Sequence, residues 1–238
     1  MRATKIITGA TLGVAFCFAM QAQAALITHS VDGVLQNDNF EGDTVGTAPS
    51  NWFDAGSGIE AVVRDTVAAR EGDQYASFET NNAKMSTVFG DKLGVLTVEF
   101  SMNIPSSGST SDRTRLNIEE GLTGNGFVFQ LRWDYTTSEL EANLSGNNIG
   151  LQFQRDVWQD YKVVVDLDAL LASGVQVTLD GVTQTTDKFN TGPTDQVTFW
   201  RVNGGSDFYV DAIPEPAGLA LIGIGAALIA LVRRRAVR

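Results

Sequence analysis

The chain has 238 residues, with 28 acidic against 17 basic side chains, one cysteine and one histidine. So few sulfur and imidazole groups exclude a Cys/His zinc site and leave His29 as the sole imidazole for any Ser-His or Cys-His catalysis. The acidic excess disfavours nucleic acid and anionic membranes as partners.

Arg2 and Lys5 precede a mostly apolar run from Ile6 to Met20, and Ala22-Gln23-Ala24 supplies small residues. This order predicts a secretory signal peptide over 1–24, removed by signal peptidase. Its loss takes away Cys17, so the exported part would carry no thiol and no disulfide. Residues 25–213 are read as one exported domain. Six of the 17 basic residues and one of the 28 acidic residues lie outside it, which leaves 11 against 27, a net charge of −16. His29 is expected to be exposed in a loose leader before the first strand.

Period-two alternation dominates the middle of the chain. Strands are expected near Phe40, over 61–63, 75–78 and 85–89, then from Leu96 to Ile104. Pro105 to Thr114 reads as a serine-rich polar loop. Further strands are expected from Phe127 to Asp134, Leu140 to Leu144, Ile149 to Phe153 and Tyr161 to Leu167. Val175 to Leu179 runs into Asp180-Gly181, a tight hairpin signal, and Val182 begins the return. Val197 and Phe199 mark another strand, and Phe208 to Ile213 the last. Only Asp168 to Ser173 has a helical pattern. The prediction is an all-β antiparallel sandwich of about a dozen strands.

Few side chains suggest chemistry. Glu119-Glu120 and the pair Glu139 and Glu141 are candidate carboxylates for glycan cleavage, which needs two acids roughly 5–10 Å apart. The same residues fit a wetted strand face with no chemistry. Glu41, Asp43 and Asp211 are candidate ligands for a structural calcium ion, which takes carboxylate and carbonyl oxygens. Trp52, Trp133, Tyr135, Trp158 and Trp200 are the aromatics considered for stacking on sugar rings. Trp133 is in phase with Phe127, Phe129 and Leu131 and belongs to the core, as does Trp158 at a strand start. Trp52 and Trp200 remain as candidate platforms. No glycine-rich phosphate loop opens a helix, and no catalytic residue is assigned.

The chain closes on Pro214-Glu215-Pro216, an uncharged run from Ala217 to Val232, and Arg233-Arg234-Arg235. The run is short for a spanning helix, and the arginines fix its cytoplasmic end. These three parts, in this order, resemble the PEP-CTERM sorting domain of Gram-negative bacteria. That resemblance implies a transmembrane helix within 214–238, processing by an exosortase at the inner membrane, and delivery to the cell surface or an extracellular matrix rich in exopolysaccharide.

Asp38-Asn39-Phe40-Glu41, Pro49 and Trp52, the stretch Trp158 to Val165 with its hairpin, and Phe208 to Ile213 resemble concanavalin A-like and carbohydrate-binding jelly rolls. That resemblance implies a jelly-roll sandwich whose first and last strands pair, placing Glu41 near Asp211. Together the two resemblances imply a non-enzymatic surface or matrix protein. A lectin with a defined glycan and a two-carboxylate glycan-cleaving enzyme are the alternatives.

Overall fold

The computed structural model describes residues 25–211, apart from 55–57, 59, 71, 108–112, 121–125, 143–146, 172–173 and 203–204. The leader 1–24, the Pro214-Glu215-Pro216 motif, the apolar run and Arg233 to Arg235 lie outside the described residues. Fifteen strands are assigned: β1 (Ala25–His29), β2 (Gly33–Asp38), β3 (Val62–Arg64), β4 (Tyr75–Phe78), β5 (Lys84–Lys92), β6 (Val95–Asn103), β7 (Arg113–Glu120) and β8 (Gly126–Asp134). They continue with β9 (Glu139–Ala142), β10 (Asn147–Gln152), β11 (Gln159–Asp166), β12 (Val175–Leu179), β13 (Val182–Thr186), β14 (Thr194–Arg201) and β15 (Phe208–Asp211).

The strands form two antiparallel sheets, as the alternation predicts. One has nine strands along the path β13-β12-β11-β6-β15-β4-β3, with β1 and β2 branching from β6. The other has six, in the order β10-β9-β8-β7-β14-β5. The apolar sides of both sheets make one core. β11 buries Tyr161, Val163 and Val165 while the residues between them are more exposed. Strand β6 sits mid-sheet and is apolar at every inward position. Its Phe100 ring stacks on Tyr161, with centroids 5.2 Å apart, and meets Trp133 and Phe199 edge-on. Thus Trp133 is core, as its phase predicts. The β12–β13 hairpin turns through Asp180 at φ 46° and Gly181 at φ 84°. Two left-handed residues match the twist of the strands they join, which is why Asp-Gly occurs there.

Several sequence expectations are corrected. His29 does not sit in a loose leader. It ends strand β1 and is 7% exposed, with Nε2 2.5 Å from Leu93 O and Nδ1 accepting from the amides of Val31 and Asp32. No strand runs through Phe40. The chain turns there at φ 55°, the Phe40 ring is fully buried, and its amide donates to Asp38 Oδ1. Burial of the ring and this Asx-type bond offset a conformation that bulky residues avoid.

Asp168 to Leu171 form a turn without helix. Leu170 and Leu171 are exposed, so a helix would gain no apolar burial here. Instead the carbonyls of Asp166, Leu167 and Ala169 converge on the Lys188 ammonium at 2.7, 3.0 and 2.6 Å. Strand β7 was not expected, and it takes up Arg113 and Thr114 from the supposed loop. Within the rest of that loop, 108–112 lie outside the described residues.

First and last strands do not pair. On one edge of β6, β1 takes Leu96 to Glu99 and β15 takes Ser101 to Asn103. The two therefore lie end to end along a shared neighbour.

Candidate functional site

That arrangement separates the acids considered for calcium. Glu41 Oε1 accepts from the amides of Asp73 and Gln74 at 2.8 and 2.7 Å. The Asp211 carboxylate, wholly buried, accepts from the Arg70 amide at 2.6 Å. Asp43 Oδ1 accepts from the Ser50 amide at 3.1 Å. Glu41 and Asp211 thus fasten the same connection between β3 and β4 from two sides. Among the described residues, no group of three or more acids, histidines or cysteines could hold a metal ion. The calcium expectation is corrected accordingly: Glu41, Asp43 and Asp211 bind backbone amides and do not form one cluster.

Trp52 is not a sugar platform either. It is 7% exposed, its Nε1 donates to Asp38 Oδ2 at 3.0 Å, and its ring meets Phe199 edge-on. Burial raises the pKa of the Asp38 carboxyl, and neighbouring Asp43 raises it further. Trp158 is half-buried: its Nε1 donates to Ala68 O at 2.8 Å and its ring meets Tyr75. Tyr135 is buried against Thr114 Oγ1, and burial pushes its phenol up to about 12.

The chemistry collects elsewhere, on the face of the six-stranded sheet turned away from the core. Leu116 and Ile118 of β7 point inward, so Arg115, Asn117 and Glu119 point out. The same logic turns out Lys84 and Ser86 of β5, Gln196, Thr198 and Trp200 of β14, and Gln130 and Arg132 of β8. Register aligns these side chains across strands. Trp200 lies opposite Lys84 on one side and Arg115 on the other, and Arg115 lies opposite Arg132. One step along, Thr198 lies between Ser86 and Asn117, and Asn117 lies opposite Gln130.

This second row is an ordered polar layer. Ser86, Thr198, Asn117, Gln130 and neighbouring Gln196 are each at most 3% exposed. Gln130 Nε2 donates to Asn117 Oδ1 at 2.9 Å, and the Ser86 and Thr198 hydroxyls are 2.9 Å apart. Glu119 Oε1 accepts from Gln196 Nε2 at 3.0 Å and Thr198 Oγ1 at 2.8 Å. Burial nevertheless raises the Glu119 pKa, because two neutral donors compensate only part of the lost hydration.

The first row holds the charge. Lys84 Nζ and the Arg115 guanidinium lie 4.9 and 5.0 Å from the centre of the half-buried Trp200 ring. Arg132 is 3.9 Å from Glu141 on β9. The acceptor Gln130 Oε1 and the donor Trp200 Nε1 are among the buried polar atoms on this face that have no hydrogen-bond partner. Of the sequence candidates, this face brings together Trp200, Glu119 and Glu141. Glu139 stands opposite Asp134 on the next row, while Glu120 is exposed at the end of β7. Sequence reading missed Lys84, Arg115, Asn117, Gln130 and Arg132. Their signal is polar residues alternating with core residues, and many strands carry that signal.

No family model matches the chain, and no curated protein matches it in sequence. Among solved structures, it is similar to an endo-β-1,4-glucuronan lyase from the fungus Trichoderma reesei, with TM-score 0.50, 8% identity, and coverage of 71% of this chain and 92% of that one. A sialidase matches with TM-score 0.49 and 11% identity over 81% of this chain, which spans 18% of the sialidase. The carbohydrate recognition domain of Emp47p matches with TM-score 0.44 and 15% identity, covering 73% of this chain and 90% of that one. At these identities the likeness is one of fold: a two-sheet jelly-roll sandwich.

Proposed function

We propose that this chain is an exported, non-catalytic β-sandwich that binds a glycan on the outward face of its six-stranded sheet. One observation carries the reading. Gln130 Oε1 and Trp200 Nε1 are a buried acceptor and a buried donor, both unmatched, two strands apart on one polar face. A buried polar group without a partner costs about 1–3 kcal/mol, so such groups call for an external partner. A sugar, with many hydroxyls that both donate and accept, supplies partners for the two at once. The aromatic ring of Trp200 adds an apolar surface beside them.

Binding of soluble polysaccharides to the full chain, purified in detergent and immobilised, tests this reading. Trp200→Ala should weaken retention about tenfold or more, as loss of a central aromatic anchor does. Trp158→Ala, just before β11 of the other sheet, should leave it unchanged. A wild-type protein that retains no polysaccharide refutes the reading.

The ends supply the address. Residues 1–24 direct export, and 214–238 hold the precursor in the inner membrane until an exosortase acts on it. The mature protein then resides at the cell surface or among matrix exopolysaccharide. The order Pro-Glu-Pro, apolar run and arginine cluster supports this. Replacing Pro214, Glu215 and Pro216 with alanine should leave an unprocessed, membrane-held precursor on immunoblots of fractionated cells. Normal processing and release of that variant would defeat the sorting proposal.

A further inference from the structure

We infer that the outer edge of strand β13 pairs with β13 of a second copy of this chain, joining their nine-stranded sheets across a two-fold axis at Gln184. This inference is independent of the glycan reading above.

A sheet edge presents unpaired N–H and C=O groups, and proteins guard such edges with charges, bulges, short strands or covering segments. Among the described residues, strands β2, β3, β5, β10 and β13 each pair with one other strand. β3 has three residues, and Val63 already bonds to the backbone of Gly46 and Thr47. β5 exchanges bonds with Phe53 at Ser86, accepts from Ala61 at Lys84, and ends in Asp91 and Lys92. β2 is bulged, with Leu35 extra between its pairings to Ile27 and Thr28. β10 shifts register between Asn148 and Gln152 and holds Gly150 at φ 76°. β13 has none of these devices. It reads Val-Thr-Gln-Thr-Thr, without charge, proline or glycine, and pairs with β12 with no shift of register.

The turn decides which of its backbone groups face the open edge. Asp180-Gly181 is a two-residue loop, so Leu179 and Val182 exchange hydrogen bonds across it, and Val177 with Gln184 is the next such pair. The N–H and C=O groups of Thr183 and Thr185 therefore point outward. Antiparallel pairing of two copies about Gln184 sets Thr183 of each against Thr185 of the other, and all of these outward groups find partners. Gln184 meets its own copy on the axis as a non-hydrogen-bonded pair, where opposite side chains come closest. Its amide both donates and accepts, so it suits itself.

Packing and charge favour the same contact. Directly opposite residues share a face, so Val182 and Gln184 stand on the side of core residues Leu179 and Val177. Yet Val182 is 57% exposed, and Gln184 is exposed too. Core cover stops at β12, and β13 overhangs it. In the pair, Val182 gains the Thr186 methyl of the other copy as a neighbour. Residues 25–213 carry a net charge of −16, which drives copies apart. On this edge no like charges meet, because the register sets Asp187 opposite Gly181 and Asp180 opposite Lys188. The same patch serves both copies, so the contact closes at a dimer. A single strand-to-strand contact belongs to the small class of interface, below about 1,200 Å², and should dissociate on dilution.

The test uses the full chain in detergent, with Cys17 replaced by serine. Sedimentation velocity should show a dimer fraction that rises with protein concentration and with added salt, which screens the repulsion between copies. Gln184→Lys sets like charges opposite each other on the axis. Thr185→Pro removes an outward amide that the fold itself does not use. Each should weaken association about tenfold or more. Gln184→Cys should form a disulfide-linked dimer under mild oxidation, since Cα atoms about 4.5 Å apart are within disulfide reach. Val34→Cys, equally exposed on the bulged edge of β2, should not. The cross-link reads β13 alone, so it distinguishes this contact from association through the apolar run 217–232.

A monomer at every concentration overturns the second copy as occupant and leaves the edge to a strand of another protein. Association that survives Gln184→Lys and Thr185→Pro, without the Gln184→Cys cross-link, belongs to the apolar run and overturns the proposal too. Equal cross-linking of Val34→Cys reveals random collision and has the same consequence.

Discussion

Phe100→Ala should lower the stability of the sandwich by about 3–5 kcal/mol, the range for removing a large aromatic from a packed core. Phe100 is fully buried on β6, the strand that bonds to β11 along one edge and to both β1 and β15 along the other. Its ring is parallel to Tyr161 within 6° and meets Phe199 edge-on at 4.9 Å. Alanine would leave a cavity between the two sheets, and Trp133 and Tyr161, already in contact with each other at 5.5 Å, cannot both shift to fill it. Thermal unfolding should shift down by about 6–20 °C, given roughly 2–4 °C per kcal/mol at this size. Leucine at this position should recover part of the loss. A shift of under about 2 °C for the alanine variant would show that Phe100 does not join the sheets as described.

Lys188→Met should cost about 2–4 kcal/mol, and its cause is polar. The Lys188 side chain is only 3% exposed, yet its ammonium donates to three main-chain carbonyls. Burial alone lowers its pKa, while Asp166 and Asp168 nearby act in the opposite direction. Methionine fills similar space but removes the three donors, and hydrogen bonds to charged groups contribute about 1.5–3 kcal/mol each, less than additively within one site. The turn that follows β11 depends on this ammonium. It also depends on Gly174 at φ 100°, where any Cβ would meet Ala169 Cβ at 2.7 Å and Asp166 O at 3.1 Å. Amide hydrogen exchange should therefore speed up locally in residues 166–171 of the Lys188→Met protein, beyond the global effect. Unchanged exchange there would separate the lysine from the turn.

This turn also shows why part of the fold was hidden in the sequence. Asp168 to Ser173 has helical spacing, but Leu170 and Leu171 find no apolar surface, and a lysine far along the chain takes the carbonyls instead. Strand β7 was hidden for a related reason. Only Leu116 and Ile118 mark its inward face, between charged neighbours, so its alternation is too brief to stand out. Strands β6, β8, β11 and β12 were legible because their inward positions are apolar throughout.

The site divides in the same way. Trp200 was readable as a residue out of phase with Val197 and Phe199. Trp52 looked equivalent, yet Asp38 takes its indole N–H and buries it. Nothing local distinguishes the two. Acid positions were equally ambiguous, since whether Glu41 and Asp211 meet depends on which strands pair.

By itself the sequence determined the strands with sustained alternation, the face their residues take and the Asp-Gly hairpin, because the period-two pleat and turn dihedrals are local properties of the chain. Only the tertiary structure decided which strands are neighbours. It therefore decided that Lys84, Trp200, Arg115 and Arg132, drawn from four strands, stand in one row. Cross-strand register joins residues remote in sequence, and it follows from how two whole sheets pack their apolar faces together.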